Sequence, residues 1–176
     1  FSLWGSEFGD KVLATYPLNN YDTTQHSYDV IATDIRVTCG NLMNAQLAAS
    51  SFRSPVYFYL STQYPANPIC FTSDYCARYA FHTWDIRALN DHINDAYNLT
   101  AADYPYRNLL QHYFVEFAVN GYLTDWKTFD SLESFPDDYV VKILASPGDT
   151  DVSSVKRREC SFWTANGFAK YAWSGQ

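Results

Sequence analysis

Pro55-Val56-Tyr57-Phe58-Tyr59-Leu60 is the stretch on which the fold turns. Proline can open a strand but cannot sit inside a central one, and the β-branched, aromatic and aliphatic residues after it show no clear alternation, which predicts a buried strand. Tyr139-Val140-Val141-Lys142-Ile143-Leu144 predicts a second. Around these runs the apolar spacing becomes helical. Asp22-Thr23-Thr24 offers capping chemistry for a helix running towards Val37, with Tyr28, Ile31, Ala32 and Ile35 on one face. After Cys39-Gly40 a second helix is expected from Asn41 to about Ser51, carrying Leu42, Met43, Leu47 and Ala48. Asn98 to about Gly121 reads as a helix with Leu109, Leu110, Tyr113, Phe114 and Phe117 on one stripe and Gly121 as its stop. Val12-Leu13-Ala14 is a short apolar stretch closed by Tyr16-Pro17, and Tyr64 to Tyr79, with Pro65, Pro68, Cys70 and Cys76, has the composition of a loop held by a small disulfide. Ser146-Pro147-Gly148-Asp149 reads as a turn, followed by a terminal helix from Ser153 to about Trp173, begun by Ser153 or Ser154. Strands separated by helices predict an α/β layer structure. With no repeat or long linker in it, the chain reads as one continuous unit over 1–176.

Composition narrows the classes of function. A chain of 176 residues, 47% hydrophobic and 18% aromatic, can build a real core. Its 12 basic and 19 acidic residues, net −7, leave no basic footprint for nucleic acid or an anionic membrane. The longest apolar runs are strand-sized, so no transmembrane helix is expected. Phe1-Ser2-Leu3-Trp4 is neither an initiator methionine nor a signal peptide and is expected to be a processed or truncated end. Four cysteines and the sequon Asn98-Leu99-Thr100 fit an oxidising, secretory or extracellular setting, with Asn98 as the glycosylation candidate.

A series of short motifs follows in fixed order. Val12-Leu13 with Tyr16-Pro17 is succeeded by Asp34 and Cys39, then Pro55-Val56-Tyr57-Phe58-Tyr59, then His82-Thr83-Trp84-Asp85. Tyr113-Phe114-Val115-Glu116-Phe117-Ala118-Val119-Asn120-Gly121 comes next, then Trp126, then Cys160-Ser161-Phe162-Trp163. In this order they resemble the later part of the catalytic domain of the type-B carboxylesterase and cholinesterase family, over about Val12 to Trp163. The family usually has His-Gly-x-Glu at its catalytic histidine and Trp-Pro-x-Tyr near Trp126, whereas this chain has His-Thr-x-Asp and Trp126-Lys127-Thr128-Phe129, the departures of a distant relative. The resemblance implies the C-terminal portion of an α/β-hydrolase fold, a mixed sheet flanked by helices and completed by an N-terminal chain or segment not present in this sequence.

The chemistry implied is that of a serine esterase with no cofactor, in which His82 is the catalytic histidine. A neutral serine is a poor nucleophile, and imidazole, titrating near about 6.5, can take its proton and return it to the leaving alcohol. In α/β-hydrolases the triad follows the order serine, acid, histidine, so a C-terminal portion retains only the histidine. No Gly-x-Ser-x-Gly occurs, and Gly5-Ser6-Glu7-Phe8-Gly9 has its serine one place too early. Asp85 matches an acidic residue the family keeps beside the histidine loop and reads either as a support for that loop or as a solvated carboxylate. Phe81 and Trp84, with Tyr79, read as lining for an acyl or alcohol pocket or as core. Glu7 is expected at the surface. His26, His92 and His112 carry no assigned role, and no spacing of histidine and cysteine suits a metal.

Four cysteines allow three pairings; the resemblance implies Cys39 with Cys160 and Cys70 with Cys76. It further implies a tightly held companion chain that carries the serine, a small ester as substrate, and a possible homodimer of the assembled enzyme. The terminal helix is then either a dimer surface or an intramolecular packing element. The competing expectation is a cholinesterase-like binding or adhesion module without catalysis, for which the altered His-Thr-Trp-Asp loop speaks. A third is a proteolytic fragment with no activity of its own.

Overall fold

The computed structural model describes residues 5–73, 75–91, 99–129 and 139–167. Helix α1, Ser6–Thr15, buries Val12, and Tyr16 just beyond it is fully covered. Helix α2, Thr24–Thr33, begins where Thr23 accepts the His26 N–H through its side chain. It does not stop before Cys39-Gly40. One π-helical turn over Asp34–Thr38 leads straight into α3, Cys39–Ser51, so the two expected helices form a single rod with a bulge. The bulge turns Asp34 inward, 1% exposed.

Strand β1, Tyr59–Ser61, is followed by a hairpin of β2, Ile69–Thr72, and β3, Tyr75–Ala77, where a loop was expected; Cys70 faces Cys76 across it and the two are bonded. A short helix α4, Trp84–Leu89, precedes α5, Tyr104–Asn120, which ends at Gly121 in the left-handed conformation (φ 74°). Strand β4, Val140–Ala145, turns through Ser146-Pro147 into β5, Gly148–Ser153, a strand the sequence reading missed. Helix α6, Arg157–Ala165, starts later than Ser153 or Ser154, with Lys156 in the left-handed conformation at its cap. It also ends short of the expected Trp173, at Ala165, with Asn166 as its cap and Gly167 in the left-handed conformation (φ 70°); positions 168–173 lie outside the described residues, as do Asn98 and His92.

The main sheet runs β1-β4-β5, with β1 parallel and β5 antiparallel to β4. Alternation along the strands separates two cores. Val141, with Phe58, Leu60 and Ile143, packs on α1, α2, α3 and α6 through Val12, Ile31, Ile35, Leu42 and Trp163. Leu144, with Tyr57 and Tyr59, packs on α4 and α5 through Trp84, Tyr106, Leu110 and Tyr113. The result is a mixed α/β arrangement of helix, sheet and helix layers, built on a period of two in the strands. The bond between Cys39 and Cys160 joins α3 to α6 (Cα to Cα 5.2 Å).

Candidate functional site

His82 stands at the corner of a tight turn between the β2–β3 hairpin and α4. The Phe81 carbonyl accepts the Trp84 N–H at 3.1 Å, and Thr83 has φ 74° and ψ 3°. These are the angles of the third residue of a type II turn, a position that asks for glycine. Threonine occupies it here, held by a bond from Arg87 N–H to its carbonyl (3.0 Å) and by one from Arg87 Nε to its hydroxyl (3.3 Å). The turn pushes the His82 side chain outward. It is exposed, and among the described residues its imidazole has no hydrogen-bond or ion-pair partner.

His82 lines a cavity of about 650 Å³ with Phe81 and Asp85. The cavity floor is the run from Val56 to Thr62, and its far wall is α2 and α3 with the π turn between them. Asp85 does not reach His82 within hydrogen-bonding distance. Its Oδ2 accepts the Tyr59 hydroxyl at 2.7 Å and its Oδ1 the Ile86 N–H at 2.9 Å, so the carboxylate fastens α4 to β1. Burial, and then the Asp85 charge, raise the Tyr59 phenol far above its ordinary value, so it stays a donor. Trp84 lies in the core, 1% exposed and stacked on Tyr106 (6.3 Å between centroids); of the three aromatic candidates Phe81 and Tyr79 border the cavity and Trp84 does not.

Two groups on the opposite wall are given no role in the sequence reading. His26, given no role, reaches the cavity from α2 and stacks on Tyr79 at 4.2 Å, with its Nδ1 3.7 Å from Asp22. Nothing in the local pattern marks it, because the meeting with Tyr79 is a tertiary contact. Asp34 and Lys156 form the second group. Lys156 Nζ donates to Asp34 Oδ2 at 2.9 Å, Tyr16 donates to the same oxygen at 3.1 Å, and Trp163 Nε1 donates to the Tyr16 hydroxyl at 2.8 Å. Burial raises the Asp34 carboxyl above its ordinary value although Lys156 and Tyr16 pull it down. The outcome is a buried, fully hydrogen-bonded strut between the π turn, α1 and α6.

Among the described residues no three histidine, cysteine or acidic side chains gather as metal ligands, and no helix is long and apolar enough to cross a membrane. No family model matches the chain, and no curated protein matches it.

Proposed function

We propose that this chain supplies the general base, His82, of a carboxylic-ester hydrolase whose nucleophilic serine is carried by a companion polypeptide. The observation that carries the proposal is the placing of His82: an exposed imidazole without a partner among the described residues, at the edge of a cavity about 650 Å³ in volume. A base that is to take a proton from a group on another chain needs that combination of fixed backbone and free ring nitrogens. The ordered motifs that resemble the type-B carboxylesterase and cholinesterase family supply the reaction class. The mixed α/β layering and the bond between Cys39 and Cys160 accord with the C-terminal portion of such an α/β-hydrolase. Two closed disulfides favour a secretory setting.

In this reading the serine attacks the ester carbonyl while His82 accepts its proton. The imidazolium then protonates the leaving alcohol, and water repeats the cycle on the acyl-enzyme. Asp85 acts on the structure, through Tyr59, and the triad acid belongs to the companion. The exposed apolar side chains Phe114, Val115, Phe117 and Val119 of α5, with Tyr122 just beyond it, 40% to 77% exposed, support such a partner, since apolar surface of this kind often marks an association surface.

Fluorophosphonate labelling of material purified without denaturation, followed by a reducing gel and intact masses, tests the proposal. Label is expected on a second co-purifying chain, and His82→Ala is expected to slow labelling by about four orders of magnitude or more. A companion that takes no label would leave the binding-module reading in its place. The absence of any companion would sink the esterase reading altogether.

A further inference from the structure

The two disulfides of this chain differ in what guards them. Cys39 and Cys160 are 1% and 5% exposed inside the first core, whereas Cys70 is exposed and Cys76 half-buried, on a hairpin that shares no ladder with the main sheet. A thiolate must reach a sulfur before it can exchange, so access ranks the two bonds. The bond between Cys70 and Cys76 can be attacked in the folded chain, while the one between Cys39 and Cys160 requires the core to open first.

The accessible bond sits where a small hairpin needs it. Two short strands by themselves are marginal. Ile69 pairs with Ala77 and Cys70 with Cys76, but the register slips between Cys70 and Thr72, which leaves Phe71 as the extra residue of a bulge. Beyond the bridge a single pair, Thr72 with Tyr75, remains. Ile69 and Ala77 are 1% and 2% exposed and Phe71 is 42% exposed, so buried surface holds the base of the hairpin and the bridge holds its outer half.

That outer half touches the His82 turn on both sides. The Phe71 ring meets Phe81 edge to face (5.4 Å between centroids), and the Arg87 guanidinium lies over the Phe71 ring at 5.6 Å. Phe81 closes the turn through its carbonyl, and Arg87 holds Thr83 at φ 74° through its N–H and Nε. Residues 78–81 are all that separates β3 from His82.

We propose that the bond between Cys70 and Cys76 is an exchange site for dithiols, and that its state sets how firmly the His82 turn is held. One thiolate of the dithiol attacks the Cys70 sulfur, forms a mixed disulfide and expels Cys76 as a thiolate. The second sulfur of the dithiol then attacks the mixed disulfide, closes the oxidised cyclic reagent and expels Cys70. Two electrons pass from the dithiol to the bridge, and its two protons end on the two cysteines. With the bridge open Phe71 is released, and the turn loses a contact on each side of His82 while Cys39 and Cys160 stay joined. The inference goes beyond the esterase reading and does not need it, since no serine, ester or second chain enters.

Limited treatment with dithiothreitol in the absence of denaturant, followed by iodoacetamide and peptide masses, tests the exchange. Cys70 and Cys76 are expected to be alkylated on the order of 100-fold faster than Cys39 and Cys160, or more, the scale on which a core opens. Equal rates overturn the proposal. Amide hydrogen exchange tests the hold on the turn. With the bridge reduced, the Trp84 and Arg87 amides, which donate to Phe81 and Thr83, are expected to exchange about tenfold faster or more, and the Lys142 amide, bonded to Phe58, at its former rate. No change at Trp84 and Arg87 overturns the proposal, as does an equal rise at Lys142, which would mean general unfolding. Phe71→Ala is expected to show the same fast exchange with the bridge closed, and Cys70→Ser with Cys76→Ser to show it without any dithiol; slow exchange in either overturns the proposal.

Discussion

Thr83 holds a backbone shape that a branched side chain avoids, beside the histidine proposed to do the chemistry. The left-handed region costs a non-glycine residue about 1 to 2 kcal/mol, and a β-branched one finds it least comfortable. Thr83→Gly is therefore expected to stabilise the chain by about 1 kcal/mol in urea unfolding, even with the 3.3 Å bond from Arg87 removed. Asp34 gives a pH dependence of definite sign. Its carboxyl is raised above the ordinary 3.8, so at intermediate pH the folded chain holds a proton that the unfolded chain has released. Its contribution is full below the unfolded value and is lost as pH rises through the folded one. The melting temperature of the unmodified chain, measured against Asp34→Asn, is expected to fall as pH rises above the ordinary carboxyl value of 3.8. A flat difference would mean that Lys156 holds the carboxylate charged throughout.

At the scale of elements, β5 shows how an unfavourable sequence becomes a strand. Gly148-Asp149-Thr150-Asp151 has turn composition and low strand propensity. Asp149 and Asp151 fall on the same face, however, and Lys142 of β4 answers both, at 3.0 and 2.9 Å, while it also donates to the Asp125 carbonyl at 2.9 Å. Its side chain is only 6% exposed, so removing it leaves two carboxylates facing an apolar gap beneath Trp126. Lys142→Ala is expected to cost about 3 kcal/mol, with the loss concentrated in the β4–β5 hairpin when exchange is followed there. The same contrast governs what was legible in the sequence. The strands near Val56 and Val140, the helix over Leu110 and its stop at Gly121 are written in local patterns, and the structure places them within a few residues. β5, the π turn at Asp34 and the meeting of His26 with Tyr79 depend on partners far along the chain, which no local window contains. Of the candidate site, the motif order pointed to His82, which lines the cavity together with Phe81, whereas the tie of Asp85 to Tyr59 required the fold.

For the molecule as a whole, the bond between Cys39 and Cys160, 121 residues apart, is the long-range constraint that holds the α6 end to α3. The chain-entropy relation gives about 5 kcal/mol for a loop of that length and about 2 kcal/mol for the short one between Cys70 and Cys76. Cys39→Ser with Cys160→Ser is expected to lower the urea midpoint by about twice as much as the pair Cys70→Ser with Cys76→Ser. The long loop also encloses most of the chain, including the turn at His82 and nine of the twelve lysine and arginine residues where a trypsin-like protease cuts. Cleavage after Arg78 or Arg87 leaves one fragment ending in that loop with Cys39 and another beginning in it with Cys160, still covalently joined. A gel run without reductant would report such a nicked molecule as a single whole species, and only added thiol would release the two pieces.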